Sequence, residues 1–390
     1  MGVKYNKTDR FRGMESRLIV NVPNVCFINP DSLNVTPYFS QYLECYKGDY
    51  ELIYWNRSVT PQEAKRGEHI FHSPLTAKNS LMKLIQLARG YFGFKRFAGR
   101  IIKQGNYDRV VALTGNTGAI LNKTLTKYYA GNYLVDVRDY FLENISLYAK
   151  MEQRALDNAA FVVASSPAYT AFLGDRPLQI MHNDTAGFLG KELSAQKAES
   201  KADHPFVLAS IGTAKNIEYD KKVIRYFAND QRFELRFIGR GYDQLQEFVQ
   251  EVGATNVVIG GEFDASRTAA MYADVDAILN MYGNHHPHYD YALPNKLYIA
   301  ARAALPIVVC EDTYLAEVVE KNNLGMALDL DDASGKERIL EINDPAQAAA
   351  REQGAKSFIA DVEEQNSRTK ALIRDFLNDE SSGMERKGAE

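Results

Sequence analysis

The 390-residue chain is long enough to form two domains of ordinary size. Its content of 45% hydrophobic and 25% charged residues is typical of a soluble globular protein. Three widely separated cysteines argue against a disulfide framework and against paired zinc ligands, and the net charge of −4 argues against a general nucleic-acid-binding protein. A polar N-terminus without a signal peptide and the lack of a long apolar run predict a cytoplasmic protein that does not cross a membrane.

The first half of the chain alternates short β-branched or aromatic runs with helix-compatible stretches. Such alternation predicts a parallel sheet covered by helices on both faces, which is a doubly wound α/β unit. The six predicted strands are residues 22–29, 50–56, 108–115, 133–139, 159–166 and 177–184.

The second half repeats this pattern after a polar segment rich in Lys, Ala, Glu and Ser. We predict an N-terminal domain over residues 1–189, a linker over 190–205 and a C-terminal domain over 206–355. A C-terminal helix is predicted for 356–379 and a disordered tail for 380–390. The predicted strands of the second unit are residues 206–212, 234–241, 256–263, 276–283, 306–312 and 325–330. Two such units predict a ligand-binding cleft at the carboxyl ends of their strands.

Positive charge is concentrated in one segment of the first half. Residues 69–107 contain seven Lys and Arg and no Asp or Glu, whereas the rest of the chain has a net charge of −11. Residues 78–103 mix Leu, Ile and Phe with basic residues, as interfacial helices do. We therefore predict peripheral attachment to an anionic membrane, on the inner face of the plasma membrane. The predicted membrane-facing residues are Lys83, Arg89, Lys95, Arg96 and Arg100.

The alternative for the basic segment is a core helix with a solvated basic face. Three internal glycines, at positions 90, 93 and 99, argue against one unbroken helix.

Glycines end the first strands of the second unit, where a ligand can approach the backbone closely. Gly212 precedes a stretch whose helix N-terminus could receive a phosphate, and Lys215 could add a positive charge. Arg240, at the end of the next predicted strand, could also meet phosphate. An ordinary strand-to-helix turn is the alternative at each position. None of these runs is the dinucleotide fingerprint, so a nicotinamide oxidoreductase is disfavoured.

The most unusual stretch, residues 284–298, contains three histidines, an aspartate and three tyrosines, and precedes a helix expected to begin at 294 or 295. His286 and His288 could hydrogen-bond a sugar or a phosphate, and a solvated loop without function is the alternative. A metal site is disfavoured because no second cluster of ligands accompanies the histidines. The acidic run 329–332 is also interpreted as surface rather than as a cation site. We predict no metal site.

The order of several motifs resembles a known enzyme family. The runs DVRD, AAFVVASSPAYTAFL and PLQIMHND are followed by a glycine-ended strand with a nearby lysine and then by YALPNKLYIAARAALPIVV. This order resembles the family 4 glycosyltransferases of the GT-B fold, most of all bacterial enzymes that build capsular or other surface polysaccharides. The resemblance begins near residue 22 and extends to the C-terminal helix. It implies two Rossmann-like domains facing across a cleft and an enzyme of the hexosyltransferase class.

The resemblance also implies the ligands. The C-terminal domain would bind a nucleotide-diphosphate sugar linked to UDP or GDP, and the N-terminal domain a glycan or lipid-linked acceptor. No cofactor besides this donor substrate, and no nucleic-acid partner, is expected. The residues implied for the donor are Gly212, Lys215, Glu262, Phe263, Pro294, Asn295, Lys296 and Leu297.

The implied chemistry requires negative charge to be stabilised on the departing diphosphate. Lys215 and Lys296 are the first candidates, together with helix N-termini. If the reaction inverts the anomeric centre, a base must deprotonate the acceptor hydroxyl, and Asp139, Asp31 and His72 are candidates. An ion pair with the adjacent arginine or a helix cap is the alternative role for Asp139. The resemblance favours retention, for which no such base is required.

The sequence departs from the family at one point. Members often have two glutamates separated by seven residues in this region, and the second usually holds the ribose. The corresponding residues here are Tyr291 and Ile299. Either Glu262 or a neighbouring histidine substitutes, or donor binding is altered, or activity has been lost. A nucleotide-sugar epimerase of the same architecture and a catalytically silent partner subunit are therefore the alternative functions.

Overall fold

The computed structural model describes residues 24–31, 36, 38–77, 79–184 and 204–379. Within this part, the strands form two parallel sheets, one in each half of the chain. The predicted linker at 190–205 lies outside the described residues except for its last two positions. The predicted tail at 380–390 lies outside them completely. The domain boundaries therefore stay predictions.

The first half forms a sheet of seven strands with flanking helices. Its strands are β1 (Val25–Asn29), β2 (Tyr50–Asn56), β3 (Glu68–His72), β4 (Arg109–Leu113), β5 (Tyr133–Val137), β6 (Phe161–Ala164) and β7 (Leu178–Ile180). Their order across the sheet is β3-β2-β1-β4-β5-β6-β7, and all neighbours are parallel. The helices are α1 (Phe39–Cys45), α2 (Ser80–Gln104), α3 (Gly115–Tyr128), α4 (Ser146–Asp157) and α5 (Thr170–Leu173). Six of these strands were predicted from the sequence, and the edge strand β3 was not.

The second half forms a sheet of six parallel strands. They are β8 (Phe206–Ile211), β9 (Phe233–Ile238), β10 (Val257–Gly260), β11 (Ala277–Asn280), β12 (Ile307–Cys310) and β13 (Gly325–Leu328), all of them predicted. Their order is β10-β9-β8-β11-β12-β13. The helices are α6 (Ile217–Phe227), α7 (Gln246–Glu251), α8 (Thr268–Met271), α9 (Pro287–Asp290), α10 (Asn295–Ala303), α11 (Tyr314–Lys321), α12 (Gly335–Glu341) and α13 (Pro345–Asn378).

The central strands are continuous apolar runs because both faces of each sheet are covered by helices. Every residue of β1, β4 and β5 is buried. In the first sheet β1 lies between β2 and β4, and in the second β8 lies between β9 and β11. The strand order therefore reverses beside β1 and beside β8, which leaves a crevice at the carboxyl ends of these strands. The predicted class, α/β with two Rossmann-like doubly wound units, is confirmed.

Helix α2 runs unbroken for 25 residues, so the expectation that its glycines interrupt it is wrong. The glycines instead make room for aromatic side chains of the sheet beneath. A Cβ at Gly90 would lie 2.2 Å from the Trp55 ring, and a Cβ at Gly93 would lie 2.6 Å from Phe71. Asn79 caps the helix by accepting hydrogen bonds from two backbone amides of its first turn.

The C-terminal helix α13 packs on both halves of the molecule. It begins at Pro345 rather than at the predicted residue 356, because proline fits the first helical turn and an alanine-rich stretch follows it. Phe358 and Val362 lie in the core of the second half, whereas Ile373 and Leu377 lie in the core of the first half. The helix thereby joins the two cores.

The segment that leaves β7 is also fastened to the second half. His182 Nδ1 lies 2.8 Å from the Tyr298 hydroxyl, and the His182 amide donates to the Asn366 side chain at 2.7 Å. Two carboxylate oxygens of the buried Asp184 accept hydrogen bonds from the guanidinium of Arg302. Burial lowers the pKa of His182, so its contact with Tyr298 is one between neutral groups.

Candidate functional site

A cavity of about 450 Å³ lies between the two halves, a volume that is ordinary for a small-molecule site. Asp139 reaches it after β5, Gly212 after β8, and Asn280 at the end of β11. The cavity therefore occupies the crevice expected from the strand order. Its polar lining residues are Tyr38, Arg138, Asp139, Tyr169, Asn183, Thr213, Lys215, Thr268, Tyr272, Asn280, Tyr282, His288, Tyr289, Asn295, Lys296 and Thr313.

The wall from the first half is organised by a buried ion pair. Arg138 contacts Asp136 through Nε and Nη2, at 2.7 Å and 2.8 Å, rather than the adjacent Asp139. Its Nη1 donates to the side chain of Asn183 at 2.8 Å, and its guanidinium stacks 4.2 Å above the Tyr38 ring. The alternative reading of Asp139 as the ion-pair partner of Arg138 is therefore wrong, because Asp136 takes that place. Asp139 remains exposed toward the cavity.

Charges from both halves act on Asp139. The protein around the cleft displaces water and raises the pKa of its carboxyl, while His288, Lys215 and Arg138 oppose this rise. His288 and Lys215 come from the second half, so basic side chains face Asp139 across the cleft. His288 Nδ1 lies 3.2 Å from the backbone carbonyl of Tyr140 and donates to it, since a carbonyl can only accept.

Gly212 forms part of the cavity floor on the side of the second half, and Gly239 packs behind it. Gly212 adopts a φ of +126°, in the region that favours glycine, immediately after β8. The backbone of Gly239 approaches so closely that a Cβ there would lie 1.9 Å from the Gly212 carbonyl oxygen. Asn216 then caps α6, its side chain accepting from the Tyr219 amide. This turn exposes backbone to the cavity beside Lys215.

Lys296 is a buried cation beneath the cavity, with an exposure of 6%. Its Nζ donates to Ser210 Oγ at 2.8 Å and lies 5.2 Å from the centre of the Tyr282 ring. Ser210 in turn lies 2.7 Å from the Tyr242 hydroxyl. Burial lowers the pKa of Lys296 to about 7, although the charge of Asp220 raises it. An incoming anion would raise this pKa, so the amine would take up a proton from solvent when the anion binds.

Asp220, on the first turn of α6, belongs to the same cluster. It is 5% exposed, and its Oδ2 has no hydrogen-bond partner among the residues that the structure describes. Burial raises the pKa of its carboxyl to about 7, against the lowering effect of Lys296. Asn280 Oδ1, buried at the end of β11, has no partner in the described part of the chain either. Both oxygens are therefore hydrogen-bond acceptors that remain available to a ligand or to water.

Helix α10 begins at the cavity, with Pro294 at its N-cap. Its first backbone amides have no partner within the helix and present the positive end of the helix dipole. Asn295, Lys296 and Ile299 line the cavity, whereas Leu297 is fully buried in the core beneath the helix. The predicted donor contact of Leu297 is therefore not seen, because its position on the helix turns it toward the sheet.

The structure brings together most of the predicted site. The predicted residues that line the cavity are Asp139, Gly212, Lys215, Phe263, His288, Pro294, Asn295 and Lys296. Those that do not line it are Arg240, Glu262, His286 and Leu297. The first three of these are exposed, and His286 instead accepts from the His288 amide through its ring nitrogen.

The other candidate bases are engaged elsewhere. Asp31 pairs with Arg57 at 2.9 Å. His72 lies at the exposed end of the edge strand β3, with Nε2 3.1 Å from the Ser58 carbonyl. Among the described residues, no group of three or more His, Cys, Asp or Glu side chains is placed to hold a metal ion.

Sequence reasoning missed several lining residues. Tyr38 and Asn183 are held by the buried Arg138, and neither stands in a pattern that sequence reasoning selects. Asn280 was detectable in principle, because it is a lone amide at the end of an otherwise apolar strand. Ser210 and Asp220 do not line the cavity, and they were not detectable because only the tertiary structure places them beside Lys296.

The basic segment lies on the surface of the first half. Lys83, Arg89, Arg96 and Arg100 are exposed on α2, whereas Lys95 is half-buried. No helix of the described residues is both long and apolar enough to cross a bilayer.

Comparison with solved structures identifies the fold. No protein-family model and no curated protein sequence matches the chain. Solved structures do match it. Sucrose-phosphate synthase from Thermosynechococcus elongatus is similar with a TM-score of 0.67 and 16% identity, covering 91% of this chain and 99% of that one. The chain has the GT-B fold.

Two further GT-B structures agree over the same extent. WaaG, a glycosyltransferase involved in lipopolysaccharide biosynthesis, is similar with a TM-score of 0.58 and 14% identity, covering 90% of this chain and 99% of its own. HepE from Anabaena, in complex with UDP and glucose, is similar with a TM-score of 0.60 and 13% identity, again covering 90% and 99%. The fold implied by the resemblance to family 4 glycosyltransferases is thus confirmed.

Proposed function

We propose that the protein is a glycosyltransferase that takes a sugar from a nucleotide-diphosphate donor bound against its second half. The observation that carries this proposal is the cationic corner of the cavity. There, Gly212, Lys215, Lys296 and the N-terminus of α10 converge, each able to receive phosphate oxygens. The cavity also opens toward Asp139 of the first half, where an acceptor hydroxyl has room to approach. The similarity to HepE, which was solved with UDP and with UDP-glucose, supports the same donor class.

In the proposed reaction, the bond between the anomeric carbon and the diphosphate oxygen breaks, and a bond to the acceptor oxygen forms. Lys215 and Lys296 stabilise the charge that develops on the departing diphosphate. The acceptor proton passes to a departing phosphate oxygen if configuration is retained, which is the outcome we propose. Asp139 then orients the acceptor hydroxyl by accepting its hydrogen bond. The reaction is proposed to need no metal, the two lysines and the helix N-terminus supplying the positive charge.

Donor binding is tested by calorimetry and thermal shift with UDP, UDP-glucose, GDP and GDP-mannose. We expect one nucleotide class to bind and raise the melting temperature. Lys215→Ala should weaken that binding at least tenfold, because a charge-assisted phosphate contact is lost. The matched control is Lys222→Ala, an exposed lysine on α6 that does not line the cavity. Absence of binding by all four compounds would refute the proposal.

Turnover separates the alternative functions. A transferase consumes the nucleotide sugar and releases the nucleoside diphosphate only when an acceptor is present. A nucleotide-sugar epimerase changes the sugar configuration without an acceptor, and a silent partner subunit binds the donor without either change. The lack of glutamates at Tyr291 and Ile299 favours the silent subunit as the second candidate. Product analysis with a purified donor, with and without extracted lipid-linked glycans, distinguishes the three.

We further propose that the acceptor is presented at an anionic membrane and that α2 binds this surface, as suits a role in surface polysaccharide synthesis. One face of α2 alternates apolar and basic side chains, and its apolar members Met82 and Phe92 are 56% and 62% exposed. The residues of this face are Met82, Ile85, Arg89, Phe92, Arg96, Arg100 and Lys103.

Membrane binding is tested by sedimentation with vesicles. We expect the protein to sediment with phosphatidylglycerol vesicles and not with phosphatidylcholine vesicles, and salt should weaken the binding. Replacing both Arg89 and Phe92 by Glu should abolish sedimentation. Glu substitution of Lys127 and Lys150, basic residues outside this face, is the control for charge alone. Binding that is absent, or equal in all variants, would contradict the proposal.

A further inference from the structure

Two carboxyl groups are packed together in the first half, outside the cavity. Glu143 belongs to the segment 138–145 between β5 and α4, and Glu152, on α4, is only 1% exposed. The two side chains are in hydrogen-bonding contact with each other. An ionised carboxylate can only accept a hydrogen bond, so a contact of this kind requires a proton on one of the two groups.

The hydrogen bonds around the pair leave one oxygen of each carboxyl for this proton. Glu143 Oε2 accepts from the Phe141 amide at 2.6 Å, and Glu152 Oε1 accepts from the Tyr148 hydroxyl at 3.4 Å. Glu143 Oε1 and Glu152 Oε2 are buried and have no N–H or O–H donor among the residues that the structure describes. A proton shared by these two oxygens satisfies both of them, whereas its loss would leave two negative charges in contact.

The surroundings stabilise one negative charge on the pair. The N-terminus of α3 lies against Glu152, since a Cβ at Gly115 would be 2.3 Å from Glu152 Oε1, and the positive end of a helix dipole favours an anion. Arg176 lowers the pKa of Glu152, but its guanidinium is already paired with Asp157 at 3.1 Å. Burial and the charge of Glu143 outweigh it and raise the pKa of Glu152 to about 8. The other titratable groups that face the pair are Tyr148 on α4, Tyr91 on α2 and His288 on α9.

The segment 138–145 connects this pair to the cavity. Asp139 lines the cavity, and the Tyr140 carbonyl accepts from His288 Nδ1 of the second half at 3.2 Å. The Asn144 amide donates to the Tyr140 hydroxyl at 3.0 Å, so the segment is folded on itself. A change in how the segment is anchored would therefore be felt at Asp139.

We propose that Glu143 and Glu152 share one proton, and that this proton anchors the segment 138–145 and thereby positions Asp139. Neither glutamate lines the cavity, so both are positioning residues. The role of Asp139 toward an acceptor rests on the proposed function, whereas the shared proton does not.

The proposal has a defined pH dependence. In a released segment, Glu152 would meet water and titrate as an ordinary glutamate, with a pKa of about 4.3. The anchored segment therefore binds one proton more than the released one at neutral pH. By linkage, anchoring is strongest below the ordinary pKa of a glutamate, and it weakens as the pH rises until the raised pKa of about 8 is passed.

Hydrogen exchange of the full chain without ligand tests this dependence between pH 6 and pH 9. Mass spectrometry of peptides that cover 138–145 gives protection factors, which are corrected for the intrinsic pH dependence of exchange. We expect protection to fall by up to tenfold per pH unit between pH 6 and pH 8 and to level off above, while β5 keeps its protection. A flat profile, or an equal fall in β5, would overturn the proposal. Because no nucleotide is present, either result leaves the proposed function untouched.

Glutamine variants test whether the shared proton is the cause. Glu152→Gln supplies an amide donor to Glu143 and keeps one negative charge on the pair, but it cannot titrate. Its profile should be flat, with protection at pH 8.5 at least tenfold above that of the wild type. Glu143→Gln supplies the donor from the other side and serves if the first variant does not fold.

The matched control is Asp139→Asn, which removes the only other carboxyl of the segment. Because this substitution leaves the glutamate pair intact, the variant should keep the wild-type slope. A wild-type slope in a folded glutamine variant, or a flat profile in Asp139→Asn, would overturn the assignment of the proton to Glu143 and Glu152.

Discussion

Lys296 should make donor binding depend on pH. Burial lowers its pKa to about 7, Asp220 raises it and Lys215 lowers it further. A bound diphosphate stabilises the ammonium form and so raises this pKa. The donor therefore binds the protonated form more tightly. By linkage, the donor affinity is highest when the pH is below the pKa that Lys296 has in the free protein. The affinity falls as the pH rises through this pKa.

The size of the effect follows from that pKa. If the bound lysine stays protonated throughout, affinity falls about tenfold per pH unit above 7. Between pH 6 and pH 8.5 this amounts to roughly a 30-fold loss, or about 2 kcal/mol. Deprotonation of Asp220 over the same range would favour the ammonium form and reduce the slope. In an Asp220→Asn variant, the fall should therefore begin at a lower pH.

Calorimetry with UDP-glucose measures this slope cleanly, because its phosphates do not titrate between pH 6 and pH 8.5. Lys296→Met should give a flat profile close to the wild-type affinity at the upper end of the range. His288 also lines the cavity, and a His288→Gln variant should keep the wild-type slope if Lys296 sets it. A wild-type affinity that does not change with pH, or a methionine variant with the wild-type slope, would refute the role given to Lys296.

Two substitutions away from the cavity test the packing that supports it. Gly90→Ala should lower the free energy of unfolding by about 1–3 kcal/mol, because its Cβ would overlap the Trp55 ring. Gly99→Ala on the same helix is the matched control, since the nearest atom is 3.6 Å away, and it should be neutral or stabilising in thermal denaturation. Arg302→Ala leaves the buried Asp184 without its cation and should cost about 3 kcal/mol in chemical denaturation. A loss below 1 kcal/mol would show that the link between the halves does not depend on this pair.

The strands were predictable because parallel strands with both faces covered are continuous apolar runs, which the sequence displays directly. Strand β3 was not predicted because Glu68, His69 and His72 interrupt its apolar pattern, and an edge strand needs little burial. The continuity of α2 was not predicted for a different reason. Helix propensity predicts that each glycine destabilises a helix. The Trp55 ring of the sheet beneath, however, leaves no room for a Cβ at Gly90, so glycine is required there. Tertiary packing decided that element.

Part of the site was predictable from single residues at or shortly after the end of a strand. Gly212, Lys215 and Asp139 stand at such positions, and all three reach the cavity. Leu297 was assigned to the donor because it stands within the P-N-K-L-Y run, although the phase of a helix starting at Asn295 turns it away. The surroundings of Lys296 could not be predicted, because they come from residues 86 and 76 positions distant along the chain, Ser210 and Asp220.

Charge is distributed unevenly along the proposed donor, and this has a consequence for recognition. In the proposed complex the diphosphate meets Lys215, Lys296 and the N-terminus of α10, which line one cavity. Most of the binding free energy should therefore come from the diphosphate, with a pH dependence set by Lys296. An inorganic pyrophosphate ion should then compete with the donor.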